Sequence, residues 1–191
     1  MFYRPEHGHG LPHNPFYAIV TPRPIGWIST RGPHGDNLAP YSFFNAVASD
    51  PPQVMFASNG TKDTLRNIQQ TGVFAVNIVP EALLAAMNQT SSALPHGTDE
   101  FTHAGLARTE CQTVACAYVT ESPAVLECRM TQIIPLAGAD NTLIIGAVTG
   151  IHIDDACLIG GRLDITRFHP VARLGYQDYA VIDRVFPLKR P

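Results

Sequence analysis

Two long β-forming runs, residues 124–135 and 141–154, stand five residues apart and limit what this chain can fold into more than any other feature. Separated by Leu136-Ala137-Gly138-Ala139-Asp140, they are expected to fold back on each other as an antiparallel pair. Other strand signals precede them. Residues 16–21 are an aromatic and β-branched run closed by Pro22. In residues 24–30, Ile25, Trp27 and Ser29 alternate with Gly26, Ile28 and Thr30. The stretch from Arg31 to Asn37 holds Gly32, Pro33, Gly35, Asp36 and Asn37, all strong turn formers, and predicts a hairpin loop. Residues 38–47 predict a strand stopped by Asp50-Pro51-Pro52, residues 53–58 another, and residues 73–79 a further one. Strands so numerous and so often adjacent in sequence predict a mainly β fold. An antiparallel, Greek-key-like barrel, closed or nearly closed, is the first choice, with a β-sandwich as its competitor.

Two short helices flank this sheet. Thr61 can cap a helix over residues 62–71 that ends at Gly72, with Leu65 and Ile68 on one face. Pro80 suits the first position of a second helix reaching Asn88. Residues 89–97 are polar and punctuated, as in a loop or lid. No repeat or boundary divides the chain, which predicts one domain over residues 1–191, with residues 1–14 as a flexible arm. His7 and His9 read as solvated residues of that arm, and no metal site is expected.

Charge argues by exclusion. Only 15% of residues are charged, against a usual share of about 25%, which favours burying further surface in an oligomer. A net charge of -3 without any run of like charges gives no pull toward nucleic acid. No apolar run is long enough for a membrane span, and the N-terminus does not read as a signal peptide, so a cytoplasmic protein is expected. The four cysteines form no C-x-x-C pair and read as reduced thiols.

Nucleotide-binding, hydrolase and zincin motifs are all missing from the sequence. Residues 38–45 instead mix small, polar and aromatic side chains within one strand, which suits a planar heteroaromatic ligand. Pro40 makes that strand an edge or an irregularity. Ser58-Asn59-Gly60-Thr61-Lys62-Asp63-Thr64 then enters a helix. Its start offers unpaired N–H groups, hydroxyls and a lysine to a monophosphate; a capped helix with a solvated lysine is the alternative.

At this point the sequence resembles the flavin reductase-like, FMN-binding split-barrel family associated with flavoprotein oxygenases. The resemblance rests on Pro22-Arg23-Pro24-Ile25-Gly26-Trp27, on the segment from Asn37 to Asn45, on Asp50-Pro51-Pro52 and on Lys62-Asp63-Thr64 with its helix. Gly72-Val73-Phe74, Glu127-Cys128 and Arg173-Leu174-Gly175-Tyr176 follow in the expected order. It implies a homodimer with an FMN on each side of the interface. Ala39, Pro40, Tyr41, Ser42 and Phe43 would lie along the ring, with Ile25, Trp27 and Asn37 beside it. Ser58, Lys62, Asp63 and Thr64 would hold the phosphate. Trp27 has a second reading as an anchor of the core. The catalytic candidates are His169 and Tyr176. The implied reaction carries electrons from NADH or NADPH to FMN, with an oxygenase or electron-transfer protein as partner. A tightly bound FMN carrier reduced by a protein, or a non-catalytic flavin-binding module, are the alternatives. Where many reductases show Thr, Ala and two Ser before Phe, this chain has Ala39-Pro40-Tyr41-Ser42-Phe43, which places it on a divergent branch.

Overall fold

The structure, a computed structural model, describes residues 1–138 and 140–191. Its centre is a seven-stranded antiparallel sheet. The spatial order is Gly35–Tyr41, Gly26–Gly32, Val73–Ile78, Ala124–Pro135, Asn141–Ile153, Pro52–Asn59 and Phe44–Ser49. The two edge strands are consecutive in the chain. Only Ser42 and Phe43 separate Tyr41 from Phe44, so the sheet must curl until its edges meet. Among the described residues no ladder joins those edges, and the barrel is split there. Pro40 sits on one of them, where its missing N–H interrupts no ladder between central strands.

Ile28, Phe44, Phe56, Phe74, Val76 and Ile144 fill the barrel. The Gly26–Gly32 strand is buried on both faces over its first five residues. Ile28 points into the barrel, whereas its neighbour Trp27 joins Leu38, Val79, Met87 and Phe101 in a second core outside it. Gly146 lies where a Cβ would come within 2.5 Å of the Phe74 ring, so that strand needs glycine to let Phe74 through.

The long hairpin pairs Ala124 with Ile153 at one end and Pro135 with Thr142 at the other. Its connection is the expected one between residues 136 and 140, although Ala139 lies outside the described residues. Beneath it sits a buried carboxylate. Glu127 is fully buried and accepts from the N–H groups of Gln112 and Thr113, the Thr113 hydroxyl and His152. This pins the residue 111–116 turn against the barrel.

Several expectations need correction. Residues 16–21 are not a strand: Phe16–Ile19 is a helical turn, and the segment pairs with no strand among the described residues. The Arg23 guanidinium donates to the carbonyls of Tyr17 and Val20 and so ties off the turn's end. Residues 38–47 are two strands broken at Ser42 and Phe43, because the chain passes from one edge of the barrel to the other there. The hairpin loop shrinks to Pro33 and His34, since pairing continues to Gly32 and resumes at Gly35. The second helix begins as a 3₁₀ turn, Glu81–Leu83, and becomes α-helical only over Leu84–Gln89.

Candidate functional site

The barrel split opens into a groove of about 580 Å³. At one end are Ala39, Pro40, Tyr41, Ser42 and Phe43; at the other are Ser58, Lys62, Asp63 and Thr64, with Asn37 in its wall. Two segments about twenty residues apart in sequence meet because Phe44–Ser49 and Pro52–Asn59 form a hairpin between them. A second cavity of about 980 Å³ adjoins the groove, shares Pro40, Ser42 and Ser91 with it, and contains Ile25.

A turn at Gly60 builds the helical end. Gly60 has a φ of 79°, a left-handed conformation that favours glycine, and its N–H donates to the Asp140 carbonyl at 2.7 Å. The Ser58 hydroxyl and the Lys62 N–H both donate to the Gly60 carbonyl, at 3.1 Å each. The chain then enters the helix Asp63–Thr71 with Lys62, not Thr61, at the cap position, and no side chain caps it. The first bond back along the helix comes from the Arg66 N–H to the Lys62 carbonyl. Three N–H groups at the helix start thus keep their donor capacity, beside a lysine, at the positive end of the dipole.

Tyr41 projects into the same region. Its ring packs on Phe56, with 4.8 Å between centroids, and the residue is only 8% exposed. Its hydroxyl has no hydrogen-bond partner although it lies beside those of Thr64 and Ser58. Burial pushes the Tyr41 phenol above its ordinary range, with the Thr64 and Ser58 hydroxyls opposing the shift. A buried hydroxyl without a partner forfeits its bonds to water, so this position favours a ligand oxygen.

A polar network supports this end from below. Thr64 donates to Asn37 at 2.7 Å, and Asn37 donates to Glu100 at 3.0 Å. Glu100 also accepts from the Leu38 N–H at 3.0 Å. Burial raises the Glu100 pKa; bonds from the Leu38 N–H and Asn37 lessen the rise. Asp63 faces the other way. It accepts from the Gly97 N–H at 2.9 Å, from Arg66 at 3.1 Å and from His96. Burial works against its charge, but the Gly97 N–H, His96 and Arg66 outweigh it and hold its pKa below the usual aspartate range. Asp63 therefore fastens the residue 90–97 loop, one wall of the groove, and its charge is spent on those partners.

Trp27 does not reach the groove. It is fully buried, and its indole N–H donates to Thr90 at 2.9 Å. Trp27→Phe is expected to lose that bond and reduce stability by about 1–2 kcal/mol while leaving flavin affinity unchanged. Denaturant unfolding and a flavin fluorescence titration check the two halves; a large loss of affinity without loss of stability would return Trp27 to the cofactor. His169 and Tyr176 line neither cavity. His169 pairs with Glu81 at 3.3 Å, and Tyr176 is half-exposed with its ring edge-on to His13. Sequence reasoning missed Glu100, Arg66 and His96. Glu100 and His96 reach the groove only through tertiary packing, whereas Arg66 follows Asp63 at i+3 on the expected helix and was within reach of local pattern.

Comparison with known proteins agrees with this geometry. The family model described as "Flavin reductase like domain" matches residues 18–163. The chain belongs to the flavin reductase like family. An uncharacterised protein of Deinococcus radiodurans is 37% identical, the match covering 85% of this chain and 83% of that protein. Among solved structures, nitrilotriacetate monooxygenase component B from Bacillus cereus is 30% identical, with a TM-score of 0.86 over 95% of this chain and 100% of that one. The 2-nitrobenzoate 2-nitroreductase NbaA of Pseudomonas fluorescens is 28% identical, with a TM-score of 0.84 over 92% and 88%. The split barrel of this chain is therefore the flavin reductase fold, and flavin binding is the property the family shares.

Proposed function

We propose that the chain is an FMN-dependent oxidoreductase that accepts electrons from NADH or NADPH. The observation that carries it is the unpartnered Tyr41 hydroxyl beside an uncapped helix start, at one end of a groove whose other end is the barrel split. Those residues fit FMN. Phosphate oxygens suit the Tyr41 hydroxyl, the free N–H groups, that of Thr64 among them, and Lys62. Ala39, Pro40 and Ser42 are small enough to let a planar ring approach the backbone from Tyr41 to Phe43, which no ladder closes across the split. When bound, FMN supplies two-electron chemistry by accepting a hydride.

The protein's own part is to orient and to shelter. The loop held by Asp63 closes one side of the groove. No acid or base in the groove is needed for hydride transfer between stacked rings. A homodimer belongs to the proposal, and exposed apolar residues support it. Phe16, Tyr17 and Phe43 are exposed beside the split, with 5.6 Å between the Tyr17 and Phe43 rings. The likeness to component B of a monooxygenase supports delivery of electrons to a separate oxygenase component.

Anaerobic addition of one equivalent of NADH or NADPH to the FMN-loaded protein is expected to bleach the oxidised-flavin absorption band. If dithionite bleaches it and neither nucleotide does, the nicotinamide reading is wrong.

A further inference from the structure

We propose that Arg173 anchors a negatively charged second substrate in the 980 Å³ cavity beside the ring end of the groove. The proposal rests on the functional reading above and adds how the molecule that meets the flavin is recognised.

Among the described residues, Arg173 is the one arginine lining this cavity. Its guanidinium lies over the Tyr179 ring at 4.5 Å and donates to the Tyr176 carbonyl. That carbonyl is held in place by a tight turn in which the Leu174 N–H bonds Asp178 and the Asp178 N–H bonds Gly175, each at 3.0 Å. The side chain is thus pre-positioned by an aromatic face and a backbone oxygen, which leaves other N–H donors of its five for a ligand.

Its charge is not neutralised. Among the described residues, arginine ion pairs involve Arg31, Arg66 and Arg108, and none involves Arg173. Glu81, the acid in the same cavity wall, faces His169 at 3.3 Å. The residue paired with Arg173 across the sheet is a second arginine, Arg23. Arg23 is buried and bonds only backbone carbonyls, those of Tyr17, Val20 and Leu174, and its Nε has no partner. Burial, then the nearby Arg173 charge, lowers the Arg23 pKa. Two arginines paired across the sheet, neither in an ion pair among the described residues, repel each other, and an anion bound at Arg173 offsets that repulsion. Gln177 adds a neutral amide donor to the wall. The position matters for chemistry because the cavity shares Ser42 and Pro40 with the ring end of the groove. A molecule held by its anionic group at Arg173 can lay its reactive part along that end.

The anion has two chemical sources: the diphosphate of a nicotinamide dinucleotide, or the carboxylate of an organic acid. Calorimetric titration of the FMN-loaded protein with ADP-ribose and, separately, with benzoate distinguishes them. Arg173→Ala is expected to weaken binding of at least one probe by about tenfold or more, the loss of a charge-assisted bond. Arg173→Lys should recover much of that loss, and the FMN affinity of both variants should match the wild type. A response to ADP-ribose assigns the diphosphate; a response to benzoate alone assigns the carboxylate. Equal binding to wild type and Arg173→Ala, no saturable binding of either probe, or an FMN affinity that falls in step overturns the proposal. Urea unfolding of both variants guards against a loss of fold. Reduction by 1-benzyl-1,4-dihydronicotinamide, which has no anionic group, keeps the two readings apart. If it reduces the flavin equally in wild type and Arg173→Ala, the anchor is selective for charged donors. If no donor reduces the wild type, the reductase reading fails, and the two titrations still decide on Arg173.

Discussion

Glu127→Ala is expected to cost about 3–5 kcal/mol of unfolding free energy at neutral pH, the range for breaking one side of a buried ionic arrangement. The side chain is fully buried and accepts four hydrogen bonds, two from backbone N–H groups, one from a hydroxyl and one from His152. Alanine leaves those donors without their shared acceptor. The turn over residues 111–116 then loses its attachment to the hairpin. The pH dependence has a definite sign. Burial alone would raise the carboxyl pKa, but His152, Thr113 and the two backbone N–H groups reverse this and lower it to about 2 from an ordinary 4.5. A lowered pKa in the folded state contributes stability that is present above the unfolded value and disappears as pH falls toward 2. The contribution is on the order of 3 kcal/mol at neutral pH. Glu127→Gln keeps the shape but has no such titration, so its stability should depend less on pH between 5 and 2, on the order of one carboxyl group less. Guanidinium unfolding at neutral and acid pH measures both. Equal midpoints at pH 7 for wild type and Glu127→Ala would remove Glu127 as a structural anchor.

How far the sequence alone reaches depends on whether the deciding contacts are local. The long hairpin was legible because both strands and their connection lie within one stretch, 124 to 154. The split-barrel class was legible from the ordered motifs. The turn at Phe16–Ile19 was not: its aromatic and β-branched residues favour a strand, but a strand needs a partner edge, and partners are set by tertiary structure. Breaking residues 38–47 at Ser42 and Phe43 was hidden for the same reason, since nothing local says that the two halves belong to opposite edges of one sheet.

The candidate site follows the same rule. Most of the expected cofactor residues do line one groove, because they sit on two short segments and the fold had only to bring those segments together. Trp27 fell to the core, since alternation along its strand turns it away from Ile28 and into the outer cluster. Asp63 is spent on fastening a loop that begins far along the chain. His169 and Tyr176 belong to the C-terminal segment but turn from the cavities. Arg173 carried a family motif in the sequence, yet its lack of an acidic partner is a property of packing alone.

The second large effect concerns the helical end of the groove and pairs two substitutions that weaken the ligand without destabilising the free protein. Lys62→Ala is expected to weaken FMN binding by about ten- to a hundredfold, as a charge-assisted phosphate contact is lost. Lys62 is exposed and in no ion pair among the described residues, so the apo stability should change by less than about 0.5 kcal/mol. Tyr41→Phe should weaken FMN as well, by about tenfold, since one neutral hydroxyl donor is removed. In the apo protein the same change deletes a buried hydroxyl that has no partner. It should therefore leave stability unchanged or raise it by about 1 kcal/mol, whereas loss of a packed aromatic would lower it. Riboflavin supplies the control because it has the ring and no phosphate. Both variants should bind riboflavin as the wild type does, within about twofold by fluorescence quenching. If either substitution weakens riboflavin and FMN equally, that residue contacts the ring or shapes the groove and is not part of a phosphate cradle. If Lys62→Ala lowers apo stability and spares FMN, the lysine serves the helix start alone. Raising salt should weaken FMN binding to the wild type more than to Lys62→Ala, because screening acts on the charge the variant lacks.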